Sequence, residues 1–188
     1  MHGVIISNLK KYVEEKLGEP AWDTLREKAG LKDKAFIPIS MYPDSDLDQL
    51  IDAAGEVTGQ DRDAILLDFG AWIIPPLMQM YRSFIPEDWD AVTFLMNVEE
   101  RLHERVVRMK DASAKPPHIN VSELSPGVLE VQYRSHRNMS ALALGCVHGV
   151  AQFYGGSASL MEERNDGGSH RTFVVRISQG AAENRDAI

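Results

Sequence analysis

The sequence has little cysteine, few basic residues and no long apolar run. Its one cysteine, Cys146, rules out an intrachain disulfide and a multi-cysteine zinc site. Within an apolar stretch, that residue is expected to be a buried thiol. Lys and Arg number 20 against 28 Asp and Glu, a formal net charge of -8. Such a balance argues against nucleic acid or an anionic membrane as the main partner, so any bound anion needs a local basic cluster. No window approaches the roughly eighteen apolar residues of a membrane-spanning helix. In the opening "MHGVIISNLKKYVEEKLG" charges recur too closely for the apolar region of a signal peptide, so a cytoplasmic location is expected. GxSxG, HExxH, CxxC and P-loop patterns are missing, and the carboxylates fall mostly on the polar sides of helices. A hydrolase or an NTPase therefore finds no support.

What is present reads first as helices. Val4, Ile5, Leu9, Tyr12 and Val13 recur at helical spacing up to Gly18, and Pro20 opens a second helix with Trp22, Leu25 and Ala29 on one side and Gly30 as its stop. "FIPISMY" is compatible with an edge strand or a loop, because Pro38 cannot donate to a ladder. A third helix is expected from an Ser45 cap, with Leu47, Leu50, Ile51, Ala54 and Val57 inside and Gly59 closing it. Asp61 caps a fourth, which Pro75 and Pro76 are expected to break or kink. A long helix then starts after Pro86 with a stripe of Ala91, Phe94, Leu95, Val98, Leu102, Val106 and Met109. His103 sits on the flank of that stripe, about 100° from its centre.

Beyond Pro116 and Pro117 the pattern changes to a strand, an Ala- and Gly-rich helix with Met139, Leu142, Ala143, Cys146, Val150 and Phe153 inside, and a hairpin from "ASLMEER" to "TFVVRIS". The expected class is α+β: a single domain over 1–188, with a mainly helical lobe over 1–115 and an α/β lobe over 116–188 that carries a small antiparallel sheet and one packed helix. A groove between lobes is a common ligand site.

The strand "VLEVQYRSHRNMS" carries the chemistry. At a period of two, Leu129, Val131, Tyr133, Ser135 and Arg137 share the inward face. That face begins apolar and ends in a phenol, a hydroxyl and a guanidinium, about 7 Å apart. Taken singly, the signals are bland: a helical His is usually a satisfied core residue, and Tyr-x-Ser-x-Arg can be a strand end bonding a helix terminus. Together they suit one ligand with two ends. An imidazole is a natural ligand for iron, while hydroxyl and forked N–H donors suit carboxylates. Heme has both ends, and Ile5, Leu9, Ile73, Met139 and Leu142 can line a flat apolar macrocycle.

With "MHGVI" at the start, "LH" at Leu102 and His103, then "KPPHI", "YRSHR" and "LGCVHG" in order, the chain resembles the H-NOX family, heme nitric oxide/oxygen binding domains related to the heme domain of soluble guanylate cyclase. The resemblance runs over nearly the whole chain. It implies heme b as cofactor, His103 as the iron ligand, Tyr133, Ser135 and Arg137 as partners of the propionates, and Pro117 and Ile5 as contacts that bend the heme. It implies a gas sensor with no catalytic residue and no zinc site. At this length the output is expected to go to a separate protein, in bacteria a histidine kinase or a cyclic-di-nucleotide enzyme. The position at which oxygen-binding relatives carry a distal tyrosine is Leu142 here, and with Leu9 and Ile73 beside it no hydrogen-bond donor is expected. NO and CO are then the expected ligands, with Trp72 the nearest residue that a shift in register would bring inward. Two other readings stay open: a heme-dependent enzyme, and a heme-free module for an apolar ligand.

Overall fold

The computed structural model describes residues 1–101, 116–167 and 170–179. The helices α1 (Gly3–Leu17) and α2 (Glu19–Lys28) share the single residue Gly18 between them, at φ 89°. That left-handed backbone lets one helix end and the next begin without a Cβ in the way. Gly3 is needed for a different reason. A Cβ there would lie 2.0 Å from the Ile37 carbonyl oxygen, so only glycine lets the start of α1 press against the segment before α3. That segment forms no strand, only an isolated antiparallel bridge between His2 and Met41.

The third helix, α3 (Asp44–Thr58), begins one residue before the expected Ser45 cap and has no side-chain cap. Its first residue, Asp44, puts its carboxylate into tertiary ion pairs instead, and an acid in the first turn also suits the helix dipole. Gly59 closes α3 at φ 70° as expected, but Val57 on the last turn is 41% exposed.

Helix α4 (Arg62–Met80) starts on Asp61, whose carboxylate accepts the Asp63 amide at 3.0 Å. It runs unbroken through Pro75 and Pro76, contrary to expectation. Two prolines remove the donors for the carbonyls of Ala71 and Trp72, a serious cost for an isolated helix. Here packing against the last long helix, α6 (Ser140–Phe153), outweighs it. A Cβ on Gly145 would stand 2.2 Å from the Leu67 carbonyl oxygen, and one on Gly70 2.4 Å from that of Leu142. The two backbones therefore touch, glycine to glycine.

A short 3-10 turn (Arg82–Phe84) leads towards α5 (Ala91–Val98). This helix starts later than expected, at Ala91, because Asp90 caps it, accepting the Thr93 amide at 2.7 Å. Its end widens into a π turn over 99–101. The remainder of the expected long helix, with Leu102, His103, Val106 and Met109, lies outside the described residues.

The sheet is β1 (His118–Ser125), β2 (Val128–Arg134), β3 (Ser157–Asn165) and β4 (His170–Ser178), antiparallel in the order β1-β2-β4-β3. The first strand has no counterpart in the sequence reading. Its alternation in "HINVSELS" was available, with Pro126-Gly127 as the turn and Gly127 at φ 73°. Edge strand β3 carries a bulge between Leu160 and Glu162, which discourages pairing with another chain.

Two apolar clusters make up the core. Residues of α1 to α4, with Met139, form the first. The end of α4, α5, α6 and the inner faces of β2 and β4 form the second. Helix α6 belongs to both sides, which is why its buried set is not the expected single row: Gly145 and Gly149 meet α4, Leu144 and Val147 join the sheet cluster, and Phe153 is left 46% exposed. The architecture is α+β, and among the described residues no helix is long and apolar enough to cross a membrane.

Candidate functional site

Strand β2 delivers the polar edge. Leu129, Val131 and Tyr133 alternate inward and are buried. The strand stops at Arg134, so Ser135 and Arg137 sit in a bend and not on the extended face that the spacing suggested. Asn138 makes that bend, at φ 34°, a region that Asn tolerates better than most residues. Inside it, Ser135 Oγ accepts the Arg137 amide at 3.2 Å. The Tyr133 hydroxyl accepts the Met139 amide at 3.3 Å, just before α6 begins. Burial pushes the Tyr133 phenol above its ordinary value, so it stays protonated and can donate.

Arg137 is anchored from behind. Its Nε lies 2.9 Å from Asp44 Oδ1, and the Met1 amino group lies 2.7 Å from the same oxygen. His136 Nε2 is 2.8 Å from Asp44 Oδ2. Burial alone would raise the Asp44 pKa. Its contacts with the Met1 amino group, Arg137 and His136 overcome this and hold it well below the usual carboxylate range. An ion pair through Nε restricts the orientation of the planar guanidinium. Sequence reasoning missed Asp44, and no local signal marked it, because its partners come from the N-terminus and from a bend far along the chain.

The apolar candidates converge. Leu9, Ile73 and Met139 are fully or nearly fully buried in the first cluster, and Ile5 and Leu142 pack against it half-buried. Trp72 is also half-buried there and meets the Tyr12 ring edge-on at 5.7 Å. Tyr12 donates its hydroxyl to Asp68 at 2.7 Å, and Lys16 lies 2.9 Å from the same carboxylate. Burial, then the Asp68 hydrogen bond, raises the Tyr12 pKa. Pro117 is half-buried immediately before β1. His103 lies outside the described residues, and among those described no three His, Cys, Asp or Glu side chains gather as a metal site. Cys146 is half-buried on α6 against both clusters, and burial pushes its thiol up to about 12.

A polar edge of two hydroxyls and an oriented guanidinium thus meets one apolar wall at Met139. The chain belongs to the haem-NO-binding family, whose sequence model matches residues 2–162. It is 27% identical over 145 residues to Soluble guanylate cyclase gcy-31 of Caenorhabditis elegans, covering 73% of this chain and 20% of the relative. With Soluble guanylate cyclase 89Da of Drosophila melanogaster it shares 22% over 185 residues, 96% of this chain and 28% of the other. The chain thus spans between a fifth and somewhat over a quarter of the length of these relatives. An H-NOX protein from S. oneidensis, solved in the Fe(II)NO ligation state, superposes with a TM-score of 0.86 at 20% identity, over 95% of this chain and 100% of that one. At that identity the likeness establishes the fold.

Proposed function

We propose that this chain is a heme-based sensor that takes NO, and also CO, at ferrous heme b and passes the event to a separate protein. One observation carries the reading: Tyr133 at the end of β2 and Ser135 and Arg137 in the bend after it lead into Met139, which is buried in one apolar cluster with Leu9 and Ile73. The donor set fits the group. Two hydroxyls and a guanidinium match a pair of carboxylates, and the leucine, isoleucine and methionine side chains match an apolar ring. Heme would supply a ferrous iron able to take a diatomic gas.

The rest of the work falls to the chain. Tyr133, Ser135 and Arg137 bind the carboxylates from the sheet side, and Asp44 fixes the angle of Arg137. Leu9, Ile73 and Leu142 exclude water and donate nothing, which favours NO and CO over oxygen. His103 serves as the iron ligand, with Pro117 and Ile5 as apolar contacts. Because the carboxylate partners belong to the β2–α6 bend and His103 to the segment after α5, a displacement of one against the other is a two-state element that a partner can read. The expected recipient is a histidine kinase or a cyclic-di-nucleotide enzyme, and no turnover is involved.

The purified protein should show a Soret band, and its ferrous form should change spectrum with NO. His103→Gly should lose the iron's protein ligand while keeping the pocket, and imidazole should restore a ligand. An unchanged ferrous spectrum for His103→Gly, with no response to imidazole, would remove His103 from this role. A colourless protein that does not take up added hemin would remove heme altogether.

A further inference from the structure

Tyr12 is where α1 is fastened to α4. Its ring centre lies 5.4 Å from that of Phe69 and 5.7 Å from that of Trp72, which it meets edge-on, and its hydroxyl donates to Asp68 Oδ2 at 2.7 Å. Lys16, one turn further along α1, lies 2.9 Å from the same oxygen and 5.7 Å from the centre of the Tyr12 ring. Among the described residues, the polar side-chain links from α1 to α4 all end on this one carboxylate.

The seat of Tyr12 adjoins the apolar wall on both helices. Side chains four apart on a helix stand one above the other, so Asp68 and Trp72 form one column on α4, and Phe69 and Ile73 form the next. Tyr12 touches three of these four residues, and the fourth, Ile73, is a buried residue of the wall. On α1, Leu9 stands one turn before Tyr12 on the same side and is buried in the same cluster. The Tyr12 ring is buried while the Asp68 and Lys16 side chains are about half exposed. A buried phenol with its hydroxyl at the rim of the core reaches a carboxylate outside it. Removal of the hydroxyl alone therefore unfastens the two helices and leaves the ring packing in place.

We infer that Tyr12 is a positioning residue for the apolar wall beside the bound gas. Held to Asp68 by its hydroxyl and to Phe69 and Trp72 by its ring, it sets how closely α1, with Ile5 and Leu9, lies against α4, with Ile73. This rests on the heme reading above. While the fastening holds, the wall excludes water. Without it, α1 and α4 part enough to admit water, and the polarity around the gas rises although no wall residue has changed.

The test uses the heme-loaded protein with CO as the probe, and hydrogen exchange of α1 and α4, which needs no gas. The infrared C–O stretch of the ferrous carbonyl falls when a water dipole approaches the bound CO, since distal polarity acts on the ligand. Tyr12→Phe should lower the stretch and speed exchange of the Val13 and Ile73 amides about fivefold, the scale of a partly exposed polar link. Asp68→Leu should do the same. Asp68→Asn keeps a carbonyl oxygen for the Tyr12 hydroxyl and should stay near the parent in both measurements. A fastening with no bearing on the wall would speed exchange and leave the C–O band where it is, and that result overturns the inference, as does no change in either measurement. If the parent gives no carbonyl band at all, the heme reading itself is what fails. If Asp68→Leu does not fold, Tyr12→Phe and Asp68→Asn still decide.

Discussion

Leu9 and Ile73 reach one cluster because each lies on the inner side of its own helix, with Met139 joining them from just before α6, whereas Arg137 is set in place by Asp44, on a helix far back in the chain. The apolar wall is thus a sum of local patterns brought together, and each buried aliphatic side chain contributes about 1.5–3 kcal/mol by leaving water. The polar edge is one node. Met1, His136 and Arg137 all meet at Asp44, and removing the centre leaves several groups without their partner. A wall tolerates change in proportion to its volume, while a node fails as a unit.

The largest effect should come where the wall has no room. Gly145→Val places a side chain where a Cβ already stands 2.2 Å from the Leu67 carbonyl oxygen, and should cost about 3 kcal/mol in urea unfolding. A variant as stable as the parent would mean that α4 and α6 can separate without loss. Next, Arg137→Ala should speed heme loss to apomyoglobin about 10- to 100-fold, the loss of a charge-assisted contact of about 1.5–3 kcal/mol. Ser135→Ala should do so only about threefold. Equal rates would erase the ranking on which the clamp depends.

Asp44→Asn should destabilise the fold by about 1 kcal/mol at pH 7, a figure reduced for the partial exposure of the pairs. Its folded pKa is depressed, so its contribution is fully present above the ordinary value of 3.8 and is lost as pH falls below it. The difference between parent and variant in urea titrations should therefore begin to shrink below about pH 4 and go on shrinking as the pH falls towards the folded pKa. A constant difference down to pH 2 would show that packing, not charge, is what the substitution removes. The smallest effect is expected for Leu142→Tyr, which should introduce weak oxygen binding if its hydroxyl reaches the ligand. A ferrous–oxygen spectrum of the unmodified protein that survives gel filtration in air would instead show a donor already in the wall. Trp72→Phe would then be the first variant to examine.

Much of the wall was legible because helical periodicity depends on neighbours three and four residues apart, as at Leu47, Leu50 and Ile51, all fully buried. Pro75 and Pro76 misled for the same reason. A local rule predicts a break, and the break is averted by contact with Gly149, which no local rule sees. The strand β1 was missed although its alternation is visible, since a polar, mostly exposed edge strand has no apolar face to mark it.

The sequence by itself determined the α+β class, the helix stops at Gly18 and Gly59, the inward alternation up to Tyr133 and the order of the motifs that carry the family. These depend on backbone sterics and side-chain period, which act within a few residues. Only the tertiary structure decided that β2 ends at Arg134, that Asp44 anchors Arg137, that α4 stays whole through its prolines and that Glu99 closes on Ile119. Each of those depends on a contact between residues distant in sequence, where the energy comes from a partner that local pattern cannot supply.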